Sequence, residues 1–169
     1  MDEYFDLVDE HRNTLHRIHK RGTPLEEGTY HNVISVWTVN CDGRVLLTLR
    51  SQNKSLMPNL WENTSGSVIA GEASVDAALR ELREETGIVA TKEQITLLGT
   101  TLKIQSFVDV FLVRVSIAPD SIRLQKEEAV AYRWVDEEEL QELYDEGALA
   151  FPISFEFEPF RKALRASAL

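Results

Sequence analysis

The chain has 169 residues of which 43% are hydrophobic, enough for one folded domain with a core and too apolar for a disordered chain. A formal charge of −10, from 28 acidic against 18 basic residues, excludes a broad binder of nucleic-acid polymers, which needs a basic face. No apolar run approaches the roughly 20 residues of a membrane span, and Cys41, the only cysteine, rules out an internal disulfide.

In chain order, the acidic start Met1-Asp2-Glu3-Tyr4-Phe5-Asp6 is unlike a signal peptide, so a cytoplasmic location is expected. Tyr4 to Asp9 and Thr14 to His19 read as two short strands around Glu10-His11-Arg12-Asn13, an N-terminal hairpin extension of about residues 1–29 on a single domain spanning 1–169. Lys20 to Gly28 is a polar loop. His31 to Val39 is apolar and β-branched, a buried strand. The turn Asn40-Cys41-Asp42-Gly43 leads to Arg44–Arg50 as its hairpin partner. Ser51 to Trp61 is a polar loop. Ser74 is the expected N-cap of a helix running to Thr86, with Gly87 as its stop. Ile95–Lys103, Phe107–Ile117 and Arg133–Val135 read as strands, and Asp136–Glu146 and Pro159–Ala168 as helices. Acids at the start of the first of these two helices suit its positive end. This order predicts an α/β (α+β) fold with a mixed sheet covered on both faces.

The helix after Ser74 carries the chemistry. Glu81, Glu84 and Glu85 stand at i, i+3 and i+4, so they share one face. Val75, Leu79 and Leu82 point to the other side and bury against the sheet. Three clustered carboxylates repel one another and do nothing for a helix; a divalent cation with oxygen ligands removes the conflict. Mg²⁺ is the first choice, since it accepts carboxylates, keeps several waters and bridges substrate phosphates. Mn²⁺ suits the same hard ligands. Bound cations also reverse the local field, so a small phosphate-bearing substrate is compatible with the acidic chain. From the helix alone, a solvated acidic face with Arg80 and Arg83 as local counter-charges is the favoured reading.

The flanking residues decide between the two. Gly66 is followed by five residues and Glu72, then by seven more and Arg80-Glu81-Leu82-Arg83-Glu84-Glu85-Thr86-Gly87-Ile88. This resembles the Nudix signature, G-x5-E-x7-R-E-U-x-E-E-x-G-U with U a bulky aliphatic residue, at every position. Seven fixed positions, each of about 5–7% usage, make a chance match in one window rarer than about one in 10⁷. The resemblance implies an α/β/α sandwich in which the signature forms a loop–helix–loop metal site. It implies that Glu81, Glu84 and Glu85 bind metal, that Arg80 braces a signature glutamate with Glu72 as the expected partner, and that Gly66, Gly71 and Gly87 shape the loops. A main-chain carbonyl beside the first glycine, of Ser65 or Gly66, is implied as a further metal ligand. The implied reaction is metal-dependent hydrolysis of a diphosphate linkage in a nucleoside diphosphate derivative or related small molecule, by water attack on phosphorus. The base is expected to be Glu81 or an acid outside the signature. Glu127 and Glu128 precede the strand at Tyr132, and Glu128 is the favoured candidate.

Beyond the signature, Tyr4 to Glu10, His31 to Asn40, Asn53 to Trp61 and Glu127 to Trp134 look like the isopentenyl-diphosphate isomerase branch of the superfamily. The departures point away from isomerisation. Where that enzyme has Cys-Gly-His, this chain has Ser65-Gly66-Ser67, and its two metal-binding glutamates before a late strand are replaced around Gln105-Ser106-Phe107. His31 matches one metal-binding histidine but lacks its partners, so it is expected to be a structural hydrogen-bonder. Trp37 reads as core. Trp61, beside the signature, is a candidate for the substrate pocket, and Arg50 and Lys54 are candidate phosphate contacts. Cys41, in a turn remote from the motif, is not expected to be a nucleophile. The alternatives to hydrolysis are isomerase-like activity and a non-catalytic diphosphate-binding module. A homodimer, paired through the hairpin or the late strands, is compatible with the sequence.

Overall fold

The computed structural model describes residues 3–118 and 120–166; the expected helix end at Ala168 lies outside them. The first hairpin forms as expected, with β1 (Tyr4–Val8) antiparallel to β2 (Thr14–Lys20) in a two-stranded sheet of its own. Among the described residues, seven further strands form one mixed sheet. They are β3 (His31–Val39), β4 (Val45–Arg50), β5 (Trp61–Glu62), β6 (Thr64–Ser67), β7 (Ile95–Lys103), β8 (Ser106–Arg114) and β9 (Ala129–Val135). β3 runs parallel to β8, with Ile34 opposite Asp109 and Trp37 opposite Leu112.

Alternation along the strands sorts the core into two layers. Trp37, Val39, Val45, Leu47, Val110 and Val135 face one side. There they meet α2 (Glu137–Asp145), α3 (Ile153–Glu156) and α4 (Glu158–Arg165) through Leu140, Leu143, Phe155, Phe160 and Leu164. Trp37 is core as expected and stacks on Phe160 at 4.2 Å. Ile34, Val36, Leu46, Phe111 and Val113 face the other side and bury Ala77, Ala78 and Leu82 of α1 (Ser74–Thr86). The result is the expected α/β/α sandwich around a mixed sheet.

Three details depart from the expectations. First, β3 and β4 are a hairpin only at the turn, where Val39 faces Val45. β4 then pairs with β9 and β5, while Thr64–Ser67, for which no element was expected, form β6 on β3, with Ile34 opposite Gly66. Splitting the two strands opens room beside β3, and the start of the signature fills it. Second, Ser74 is not the N-cap of α1. Ala73 occupies that position and has no polar side chain to cap with, while the Ser74 hydroxyl donates to Asp109 Oδ2 at 2.5 Å. Third, β9 begins at Ala129, four residues earlier than expected, and α3 has no counterpart in the sequence reading.

The hairpin is tied to the sandwich by buried charge. Arg12, in its turn, donates to both oxygens of Asp109 at 2.9 Å and to Asn32 Oδ1. Burial alone would raise the proton affinity of Asp109; hydrogen bonds from Arg12, Ser74 and Thr100 outweigh it and hold the carboxyl below its ordinary range. His31 stacks on Phe5 at 4.2 Å and shares a 2.8 Å hydrogen bond with Ser106 Oγ. Burial, with smaller contributions from the charges of His19 and Arg21, lowers its pKa from 6.5 to about 4. A depressed histidine favours the neutral folded form. The stability it contributes is full above pH 6.5 and is lost as pH falls toward 4. Urea midpoints measured at pH 7 and pH 5 are expected to fall markedly in the wild type, and His31→Phe is expected to flatten that fall.

Candidate active site

The signature folds as a loop from β6 into α1. In that loop the Gly71 N–H donates to Asp6 Oδ2 at 2.8 Å, and the Ile69 N–H reaches Glu72 Oε2 at 3.3 Å. α1 ends at Gly87, whose left-handed backbone (φ 75°) returns its N–H to Arg83 O. Helical spacing then puts Leu82 fully inside and Glu81, Glu84 and Glu85 on the face toward a cavity of about 580 Å³. That volume suits a small organic ligand.

Arg80 organises this face. Its Nε and Nη2 each bond one oxygen of Glu72 at 2.9 Å, a bidentate pair as expected from the resemblance. Nη1 also reaches Glu81 Oε1 at 2.7 Å and Glu84 Oε2 at 3.3 Å, and Nη2 reaches Ser67 O. These carboxylates hold the guanidinium's proton affinity above its ordinary value despite partial burial. Burial raises Glu81's proton affinity, and Arg80 partly offsets this.

Gly66 sets how near Glu81 can come to β6. A Cβ at Gly66 would lie 2.3 Å from Glu81 Cδ and Oε1, inside any tolerable contact. Gly66→Ala is therefore expected to push the Glu81 carboxylate away and lower turnover by tenfold or more, while far-ultraviolet circular dichroism stays unchanged. Gly71→Ala is the matched control. It has open space within 4 Å but a φ of 79°, so it is expected to cost about 1 kcal/mol of stability and little activity.

Glu85 is the most perturbed acid. Its Oε2 is shut off from solvent and has no hydrogen-bond partner. Burial raises its proton affinity well above the ordinary carboxylate range, and the charges of Glu62, Glu81 and Glu128 raise it further. Among the described residues no three acids, histidines or cysteines stand as a closed ligand set, and Glu81 is turned to Arg80. The donor set itself, hard carboxylate oxygens with one of them buried and unpartnered, fits a divalent cation.

The remaining candidates are spread unevenly. Ser65, Gly66, Lys54 and Glu128 line the cavity, and Lys54 is ion-paired to Glu128. Arg50 lines it too, but its guanidinium is spent on both oxygens of Glu62 at 2.7 Å and on the carbonyls of Leu56 and Met57. Trp61 does not line the cavity; it packs toward the α2 side of the sheet, with the Arg133 guanidinium 4.5 Å above its ring. Cys41 is exposed in its turn. Sequence reasoning missed Glu62, which burial pushes toward protonation and Arg50 holds back. It reaches the carboxylate group only through the pairing of β5 with β4, where Thr48 faces Glu62, and no local pattern announces that.

The NUDIX domain model matches residues 29–154. A Nudix hydrolase of Listeria monocytogenes is 36% identical over 151 residues, covering 86% of each chain. An Arabidopsis thaliana protein named Nudix hydrolase 3 is 32% identical over 82% of this chain, which spans 20% of it. Isopentenyl-diphosphate Delta-isomerase 2 of Aromatoleum aromaticum is 32% identical over 83% of this chain and 76% of its own. In structure, a Deinococcus radiodurans protein superposes over 99% of this chain and 100% of its own with a TM-score of 0.75 at 21% identity. The NUDIX domain of Shewanella oneidensis NrtR, solved with ADP ribose, gives 0.64 at 19% identity, covering 80% and 88% of the two chains. At these identities the structural likeness speaks for the fold. The chain belongs to the Nudix family and is a Nudix hydrolase. No helix among the described residues is long and apolar enough to cross a membrane.

Proposed function

We propose that this hydrolase cleaves the diphosphate linkage of a nucleoside diphosphate derivative or related small molecule with Mg²⁺ held by Glu81, Glu84 and Glu85, and that Ser65 or Gly66 adds a main-chain oxygen. The observation that carries the reading is the buried, unpartnered Oε2 of Glu85 amid Glu62, Glu81 and Glu128 at the wall of the cavity. A bound Mg²⁺ would neutralise phosphate charge and acidify a water. The chain supplies the rest. Arg80 fixes Glu72, Glu81 and Glu84 relative to one another. Glu128, kept beside Lys54, is positioned at the cavity wall to accept a proton from the attacking water. The hairpin, read as an extension of the domain, contributes Glu3 and Arg21 to the cavity.

The test is a screen of the purified protein with Mg²⁺ or Mn²⁺ against nucleotide sugars, dinucleotide cofactors, nucleoside triphosphates and prenyl diphosphates. Metal-dependent hydrolysis of at least one class is expected, a diphosphate diester giving two phosphomonoesters and a nucleoside triphosphate giving a monophosphate and pyrophosphate. The similarity to an isomerase supports one competing reading. Conversion of a prenyl diphosphate to its double-bond isomer without phosphate release would favour it over hydrolysis. Binding of one compound with no turnover of any would favour a non-catalytic module.

A further inference from the structure

Five basic side chains line the cavity: Arg21, Arg50, Lys54, Arg80 and Lys103. Four are already neutralised. Arg21 pairs with Glu3, Arg50 with Glu62, Lys54 with Glu128, and Arg80 with Glu72, Glu81 and Glu84. Lys103, at the end of β7, pairs with no carboxylate among the described residues. Its ammonium lies 4.2 Å from the centroid of the Phe151 ring. An ammonium resting on a ring gains less than one paired with an anion, and this one is half-buried, so burial disfavours its charge.

The backbone around the lysine is costly to hold. Ile104, which follows it, has a φ of 51°, and Phe151 beneath it a φ of 48°. Left-handed backbone is unusual for any residue with a side chain and more so for a β-branched one, and such strain gathers at functional sites. Phe151 is also the only aromatic residue among those lining the cavity, and Arg50 sits 5.0 Å from its ring as well. This wall therefore offers positive charge to a ligand, not a bare face for stacking a base.

We propose that Lys103 is a substrate-binding residue of the cavity, donating to the phosphoryl group of the diphosphate that lies away from the carboxylates of α1. This rests on reading the cavity as a diphosphate site. The ammonium donates to phosphoryl oxygens from its place on Phe151, as a point charge that no carboxylate among the described residues has already satisfied.

The experiment is a calorimetric titration with methylenediphosphonate in the presence of Mg²⁺. Its P–C–P bridge has no anhydride to break, so binding is read without turnover. Lys103→Met keeps the stem on Phe151 and removes the charge; it is expected to weaken binding about tenfold to hundredfold, the range for losing one charge-assisted contact. Lys103→Arg is expected to stay within about threefold of wild type. Mn²⁺ binding by each variant, followed by electron paramagnetic resonance, is expected to be unchanged. Binding by Lys103→Met within twofold of wild type overturns the proposal. So does an absence of wild-type binding, or a loss of Mn²⁺ affinity that parallels the loss of diphosphonate affinity, which would mark a structural role. If diphosphonate binding depends on Lys103 but no diphosphate is hydrolysed, the catalytic reading falls and this one stands.

Discussion

Glu85→Gln is expected to abolish Mg²⁺-dependent diphosphate hydrolysis, by a thousandfold or more, while leaving the metal-free protein at least as stable as the wild type. The two effects have one cause. In the metal-free protein the Glu85 carboxylate is a poor resident: Oε2 makes no hydrogen bond, and Glu62, Glu81 and Glu128 crowd it with like charge. Desolvated, unpaired carboxylates are costly, and a neutral amide of the same size avoids that cost. A bound divalent cation would supply the interaction that offsets this cost. A thermal melt makes the link visible, because a ligand that binds only the folded state raises its stability. Saturating Mg²⁺ is expected to raise the melting temperature of the wild type and to leave Glu85→Gln where it was. Glu84→Gln is expected to lose activity similarly with less gain in metal-free stability, since Glu84 is solvent-exposed and already touches Arg80. Wild-type turnover in both variants would remove the metal assignment.

Arg80→Ala is expected to be damaging in the opposite way, losing both fold stability and activity. Arg80 is the shared partner of Glu72 and Glu81, whose side chains are 14% and 15% exposed. Removing it leaves two largely buried carboxylates without their cation, a change of roughly 3 kcal/mol or more in comparable sites. Activity is expected to fall at least a hundredfold, because Glu81 loses the contact that orients it. Arg80→Lys separates charge from geometry. A lysine keeps the charge but cannot span both oxygens of Glu72 while holding Glu81. It is expected to recover most of the stability and a minor part of the activity. Urea titration and initial rates on one preparation read both quantities.

These two predictions concern residues that the sequence made legible, and the reason is local. Helical spacing alone puts Glu81, Glu84 and Glu85 on one face, and the distances from Gly66 and Glu72 to Arg80 lie within one continuous segment. The layers of the sheet were legible for the same reason, since alternation in β3 and β8 is a property of consecutive residues. What was not legible depends on which distant segments meet. Arg50 read as a phosphate contact by type and by nearness to the signature, yet β5 brings Glu62 against it and buries the pair. Trp61 reads as a pocket residue from its place beside the signature, and strand pairing turns it to the other layer. Arg12 sat in a polar turn with no sign that it would cross to Asp109, and Ser74 looked like a cap until that same aspartate claimed its hydroxyl. Lys103 reads as the polar end of a strand, and no local pattern shows that Phe151, forty-eight residues on, meets it at the cavity wall. The reaction class was carried by a local motif, whereas the recognition wall is assembled from remote pieces.

The central claim is that the carboxylates of α1 support metal-dependent attack of water on phosphorus. The measurement that tests it most directly is turnover, in ¹⁸O-labelled water, of whichever compound the screen selects, with Mg²⁺ present and again after excess chelator. One ¹⁸O atom in a phosphate product with metal, and no turnover without it, is the expected result. Turnover that survives the chelator, or product that carries no label on phosphorus, would contradict it.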